Sequence, residues 1–314
     1  MRVTVTGGEG FIGRTVVPHL VGLGHEVTVL DRAAREERRD GVVRIRCELT
    51  EIDGEAFDAL TRADAVIHLA GCPGVRDDGP QVRWRRRRDN VEATRAVTST
   101  VPATTPLLAF SSSSVYGGAQ VQGRRIRPSA EADQLRPRGG YARSKVDAER
   151  VCRERAAAGG HVLVVRPFTV VGEHQRADMA VALWSRQLRR GEPVVLLGGA
   201  DRTRDITDVR DVARAVTGLL DRGASGTVNL GTGVSHTLVD LARSVAAATG
   251  CSGERVVADA ERREVSHTMA DISLLRSILG WFPTTDLDAV VRRAVHALGP
   301  VRAAEPAPSL AVTA

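Results

Sequence analysis

Val3-Thr4-Val5-Thr6-Gly7-Gly8-Glu9-Gly10-Phe11-Ile12-Gly13 runs from an apolar strand straight into a glycine turn, and the amphipathic stretch Arg14 to Leu23 follows it. That succession is strand, turn, helix. Glycines at 7, 10 and 13 let a backbone approach a pyrophosphate closely, while the N-terminus of the following helix directs its positive dipole end at the ligand's charge. A second apolar strand, Glu26 to Leu30, ends in Asp31, 18 residues after Gly13. A carboxylate there accepts hydrogen bonds from both hydroxyls of an adenosine ribose and repels a 2′-phosphate. The cofactor expected is therefore NAD(H) rather than NADP(H), with the adjacent Arg32 as a cation that can partly accommodate such a phosphate.

Further strand candidates follow at Val42 to Arg46, Ala65 to His68, Pro106 to Phe110 and His161 to Arg166, with helix-length segments between most of them. Parallel neighbours need crossovers and helices supply them, so the alternation predicts a doubly wound α/β fold, a parallel sheet with helices on both faces. After Arg166 the alternation weakens. Gly172, Gly191, Pro193, Gly198 and Gly199 mark loops around a helix near Met179 to Arg190. Helices are predicted over Asp211 to Arg222, Leu238 to Thr249 and Ile272 to Leu279, the last ended by Gly280, with a short strand at Val228 to Leu230. The expected organisation is a Rossmann-type domain over 1–168 plus about 205–230, and a smaller discontinuous C-terminal substrate lobe over about 169–204 and 231–299. The Ala- and Pro-rich tail at 300–314 has no periodicity and is expected to be disordered.

With 42% hydrophobic and 26% charged residues, the 314-residue chain has the composition of a globular protein and excludes a fibrous or small disulfide-stapled one. No apolar run approaches the roughly 20 residues that span a bilayer, and no charged-then-apolar leader precedes Arg2. A cytoplasmic protein without a membrane partner is expected. Cys47, Cys72, Cys152 and Cys251 lie far apart, without the spacing of a zinc or redox site, so neither metal nor disulfide is expected. The 44 Lys plus Arg against 38 Asp plus Glu leave a net charge of +6, too small an excess to predict nucleic-acid binding.

Those cations include a single lysine, Lys145, and the chain has only two tyrosines, Tyr116 and Tyr141. Where Arg has replaced Lys almost everywhere, the lysine that remains does something a planar, untitratable fork cannot. It falls in Tyr141-Ala142-Arg143-Ser144-Lys145, at the start of a helix expected to run to about Arg155. Residues four apart share a helix face, so phenol and ammonium can point at one ligand. A nearby cation is expected to lower the phenol's pKa toward the range in which it exchanges protons with a substrate hydroxyl. Ser111-Ser112-Ser113-Ser114-Val115-Tyr116-Gly117 directly follows a strand, at the sheet edge where ligands bind, and its hydroxyls are placed to hold a substrate oxygen. Three of the four serines read as an ordinary polar turn.

Together these residues resemble the extended short-chain dehydrogenase/reductase family, in particular its NAD-dependent nucleotide-sugar epimerase/dehydratase branch. Thr6 to Gly13 looks like that branch's TGGxGFIG, His68-Leu69-Ala70 like its HLA segment and Asn90-Val91 like its NV. Arg166-Pro167-Phe168 resembles the start of RPFNVYG, Arg204-Asp205-Ile206 the RDF segment, and Asn229 to Gly233 the NLGTG segment. The resemblance implies that Tyr141 is the catalytic acid/base, that Lys145 tunes it and holds the nicotinamide ribose, and that Ser112 hydrogen-bonds the reacting oxygen. It implies a cofactor site of Gly7, Gly10, Phe11, Ile12, Gly13, Asp31, Arg32, Leu69, Ala70, Tyr141, Lys145 and Pro167. The implied substrate contacts are Ser112, Ser113, Thr169, Arg204 and either Arg262 or Arg263, with Arg204 on a nucleotide phosphate.

The chain also departs from the pattern. The family's dehydratases and UDP-glucuronate decarboxylases carry acidic residues just after the Ser112 position, where this chain has Ser113 and Ser114. Thr169 replaces the asparagine of RPFN, and Glu261 to Val265 resembles RPGDV only with a deletion. The run Arg83-Trp84-Arg85-Arg86-Arg87-Arg88 is a single cluster on an expected helix, and reads as a solvated face, a subunit contact or a rim attracting anionic substrate rather than a nucleic-acid site. The expected activity is a 4-epimerase for a UDP- or dTDP-linked sugar. An NAD(P)H-dependent 4-ketoreductase and a non-catalytic NAD(H) sensor are the alternatives. By the resemblance, the helix after Pro80 and the Tyr141 helix form a homodimer interface.

Overall fold

The computed structural model describes residues 1–34, 37–39, 41–74, 79–123, 125–197, 199–251, 256–259 and 265–299. Arg262, Arg263 and the tail at 300–314 lie outside the described residues. Strand β1 (Arg2–Thr6) leads through the glycine turn into helix α1 (Gly13–Gly22), and β2 (Glu26–Asp31), β3 (Glu37–Arg39) and β4 (Val42–Arg46) follow. Next come α2 (Gly54–Thr61), β5 (Ala65–His68), α3 (Pro80–Arg86), a π-helical turn at Arg87–Glu92, α4 (Ala93–Thr100) and β6 (Leu107–Phe110). A hairpin of β7 (Gln120–Gln122) and β8 (Arg125–Arg127) precedes α5 (Gly139–Ala157), β9 (Val162–Pro167) and β10 (Thr169–Val171). The remainder is α6 (Ala180–Arg189), β11 (Val194–Leu197), β12 (Thr203–Asp208), α7 (Val209–Asp221), β13 (Gly226–Leu230), β14 (Ser235–Thr237), α8 (Leu238–Thr249), β15 (Val256–Asp259), α9 (Ser273–Leu279) and α10 (Leu287–Ala297).

Strands β5, β6 and β9 are buried at every position, as expected of strands covered by helices on both faces. The main sheet runs β13-β9-β6-β5-β1-β2-β4-β3, parallel throughout except for the edge strand β3, which pairs antiparallel with β4. This is the doubly wound α/β fold that the alternation predicts. The order reverses direction at β1, whose neighbours are β2 and β5. That reversal opens a crevice at the carboxyl ends of the strands, directly above the glycine turn.

The region after Arg166 holds more regular structure than its glycines and prolines suggest. Beside α6, it forms a three-stranded sheet β10-β12-β14 and a parallel pair β11–β15. These strands are three to six residues long, too short for a period to stand out in sequence. Val181, Trp184 and Leu188 of α6 pack with Leu241 and Val245 of α8 and Val291 and Val295 of α10 into a core separate from those on the two faces of the main sheet. Among the described residues, no helix is long and apolar enough to cross a membrane.

Candidate active site

Gly7 has φ of +73°, and a Cβ on it would lie 2.6 Å from the Ala70 backbone nitrogen; one on Gly13 would lie 2.5 Å from the Gly8 carbonyl. Only glycine fits either place, and the cradle so formed faces a cavity of about 680 Å³. Its lining gathers all the expected cofactor residues: Gly7, Gly10, Phe11, Ile12, Gly13, Asp31, Arg32, Leu69, Ala70, Tyr141, Lys145 and Pro167. Bare glycine backbone, a helix N-terminus and a carboxylate at the end of β2 fit a dinucleotide.

Tyr141, Lys145 and Ser112 meet at the same cavity. Helix α5 brings the first two together, one turn apart on one face. Ser112 arrives from the end of β6, where its Oγ accepts the Ser114 amide at 3.2 Å and caps a 3₁₀ turn at Ser113–Tyr116. Burial raises the Tyr141 pKa, and the Ser112 hydrogen bond followed by the charge of Arg176 pulls it partly back. This corrects the expectation of a lowered value: in a pocket walled by protein, desolvation of the phenolate outweighs the nearby cations. Lys145 Nζ donates to the Phe110 carbonyl at 2.9 Å, and burial lowers its pKa to about 8.

The neighbouring serines divide their tasks. Ser111 also lines the cavity, but its Oγ donates to Glu149 Oε1 at 2.5 Å and so is turned to the core. Ser113 is absent from the cavity lining, whereas Thr169 belongs to it. Arg204, on β12, also lies outside the lining, with Nη1 donating to the Thr203 carbonyl at 2.8 Å and the Ser266 carbonyl at 3.3 Å. Among the lining residues that the motifs do not point to are Cys72 and Arg176. Cys72 is held by Asn90, which accepts its amide at 2.7 Å and donates to its carbonyl at 3.1 Å. Arg176 binds Asp178 at 3.0 Å and 3.3 Å. A lone cationic residue in a loop carries no period, and only the folded chain puts it opposite a tyrosine.

Several motif segments act as internal fastenings. Arg166 donates to both oxygens of Glu149, at 2.9 and 2.7 Å, and to the Tyr116 hydroxyl at 2.8 Å. Asp205 accepts amides from Thr232, Gly233 and Ala270, tying β12 to the loop after β13. His68 is buried between the Thr6 and Thr94 hydroxyls, at 2.7 and 3.0 Å, and burial depresses its pKa to about 3.

The model of the NAD dependent epimerase/dehydratase family matches residues 3–231. The chain belongs to that family. Among relatives, it is 30% identical to the ADP-L-glycero-D-manno-heptose-6-epimerase of Alkalilimnicola ehrlichii, covering 97% of this chain and 99% of the relative. It is 27% identical to UDP-glucuronic acid decarboxylase 1 of Xenopus tropicalis, over 94% of this chain and 71% of that protein. The structure of MoeE5 in complex with UDP-glucuronic acid and NAD superimposes with a TM-score of 0.82 at 32% identity, covering 95% of this chain and 99% of MoeE5. The two relatives are thus an epimerase and a decarboxylase.

Proposed function

We propose that the protein is a nucleotide-sugar 4-epimerase that uses tightly held NAD and acts on a UDP-linked hexose. The observation that carries the proposal is the meeting of Tyr141, Ser112 and Lys145 at the cavity that the glycine cradle opens into. When bound, NAD supplies a hydride acceptor that later returns the hydride to the other face of the sugar. Tyr141 takes the proton from the sugar's 4-hydroxyl and gives it back. Ser112 holds the same oxygen through its hydroxyl and keeps the phenol aligned. Lys145, cationic below a pKa of about 8, offsets the phenolate charge and holds a ribose hydroxyl.

At the sugar end, Thr169 and the guanidinium of Arg176 line the cavity. Arg176, beside Tyr141 and paired with the exposed Asp178, can exchange that partner for a hexose carboxylate at C6, and MoeE5 has been solved with both UDP-glucuronic acid and UDP-glucose. Serines at 113 and 114, in place of acids, remove the group that elimination would need. Arg204, together with Arg262 or Arg263, forms the phosphate-binding set, and Ser113 is a further substrate contact beside Ser112. The helix that starts at Pro80, running from α3 through the π-helical turn into α4, and α5 form the interface of a cytoplasmic homodimer. Purified protein incubated with UDP-glucuronic acid, UDP-glucose and dTDP-glucose, without added cofactor, tests the proposal by product NMR. A 4-epimer of a UDP-sugar is the expected product. Conversion only with stoichiometric NAD(P)H would overturn it in favour of a ketoreductase.

A further inference from the structure

Asp31 and Arg32 close β2 at the adenosine end of the cavity, and they present opposite charges to a cofactor's ribose. The described partners of Asp31 are the backbone amides of Glu9 at 3.1 Å and Ala33 at 2.9 Å, neither of which cancels its charge. Arg32 is bound differently. Its Nη2 lies 2.6 Å from Asp89 Oδ2 and its Nη1 3.9 Å from Glu48 Oε2. The other Asp89 oxygen takes Nε of Arg88 at 2.6 Å, and that guanidinium also lies over the Trp84 ring at 4.8 Å. The π-helical turn makes this possible, because it buries Asp89 and Asn90 side by side, one toward Arg32 and the other toward Cys72 and Ser144.

We propose that Asp89 is a specificity-determining residue for the cofactor: it clamps Arg32 and Arg88, so that the unopposed carboxylate of Asp31 alone meets the ribose and a 2′-phosphate is rejected. The proposal rests on the NAD reading of the cavity. A guanidinium recognises phosphate through a pair of parallel N–H groups. Swinging Arg32 onto a phosphate would strand the Asp89 carboxylate, whose side chain is only 5% exposed, without one of its two cations. Without the Asp89 charge, Arg32, with a side chain 51% exposed and next to Asp31, is free to turn to the phosphate.

The test is a competition. Full-length parent and variants are equilibrated with equal NAD and NADP⁺ and desalted, and the bound nucleotides are extracted and quantified by chromatography. Asp89→Asn is expected to raise the bound NADP⁺/NAD ratio about tenfold, the scale of one hydrogen bond to a charged group. Adding Arg32→Ala to that variant should return the ratio to the parent's. Arg32→Ala alone should leave the parent's ratio unchanged, because the clamp already removes Arg32 from phosphate binding. An unchanged ratio in an Asp89→Asn protein that still binds NAD overturns the proposal. If that variant does not fold, the Arg32→Ala arm decides, since a severalfold loss of NADP⁺ retention there means that Arg32 is not clamped. A parent that prefers NADP⁺, or that takes up neither nucleotide, overturns the NAD reading and the clamp with it, whereas an unchanged ratio in the Asp89→Asn variant of a parent that prefers NAD overturns the clamp alone.

Discussion

The two tyrosines of the chain stand at the two ends of one stripe on α5, Tyr141 as its first member and Tyr116 linked to its last, Glu149, through Arg166, and they differ in what is left for their hydroxyls to do. Tyr141, Lys145 and Glu149 succeed one another four residues apart. At the first end, Tyr141 shares a cavity with Ser112, Arg176 and the glycine cradle. At the other, Tyr116 donates to Asn229 Oδ1 at 2.7 Å and accepts from Arg166, which Glu149 grips with both oxygens. Burial pushes the Tyr116 pKa up to about 12. Both phenols lie near cations, so a neighbouring charge does not distinguish a catalytic tyrosine from a structural one. The distinction lies in whether the hydroxyl opens onto a cavity or is closed on both sides by protein.

The largest expected effect separates the two directly. Tyr141→Phe keeps the ring and should retain bound NAD while turnover falls by about 10²- to 10⁴-fold, the range general acid–base catalysis supplies. Steady-state assays beside Tyr116→Phe check it, and that second variant should stay within about threefold of the parent if catalysis is confined to the open end.

At the closed end the losses should appear in stability. Arg166→Met takes from the buried Glu149 carboxylate the only buried cation described on it, leaving it the Ser111 hydroxyl and the exposed Arg153 at 3.5 Å, and about 3–5 kcal/mol of unfolding free energy should be lost, measured by urea titration. Tyr116→Phe leaves the Asn229 carbonyl oxygen without that donor, and the same titration should show a loss of about 1–3 kcal/mol. A pair of variants as stable as the parent would dissolve the contrast.

His68 gives the smallest effect and depends on pH. Its folded pKa of about 3 lies below the ordinary value of 6.5, so the unfolded chain binds the extra proton between those limits. The stability contributed by the neutral ring is complete above pH 6.5 and is lost as pH falls toward 3, at up to about 1.4 kcal/mol per pH unit. Urea midpoints at pH 7 and pH 5 should fall further for the parent than for His68→Asn.

The open end was largely legible in the sequence. Glycines at 7, 10 and 13, Asp31 and the Tyr141–Lys145 spacing are local patterns, and local patterns survive without the fold. Arg166, Asp205 and Asn229 also stood out as motif residues, yet their partners lie 17, 27 and 113 positions away, at Glu149, Thr232 and Tyr116, so their fastening role is visible only after folding. Arg176 and the Asp89 clamp left no signal, because charges in loops and irregular turns have no period. The expected fall in the Tyr141 pKa failed for a related reason: spacing reveals a nearby cation, but not how much water the fold removes.

The most direct test of transient oxidation at C4 is to run the conversion in D₂O, with no cofactor added, and read the product by NMR. If Tyr141 shuttles the hydroxyl proton while the carbon-bound hydrogen leaves and returns within the site, the product is the 4-epimer with protium retained at C4 and no deuterium on the ring. Deuterium at C4 or C5, or a pentose formed by loss of C6, would contradict the account.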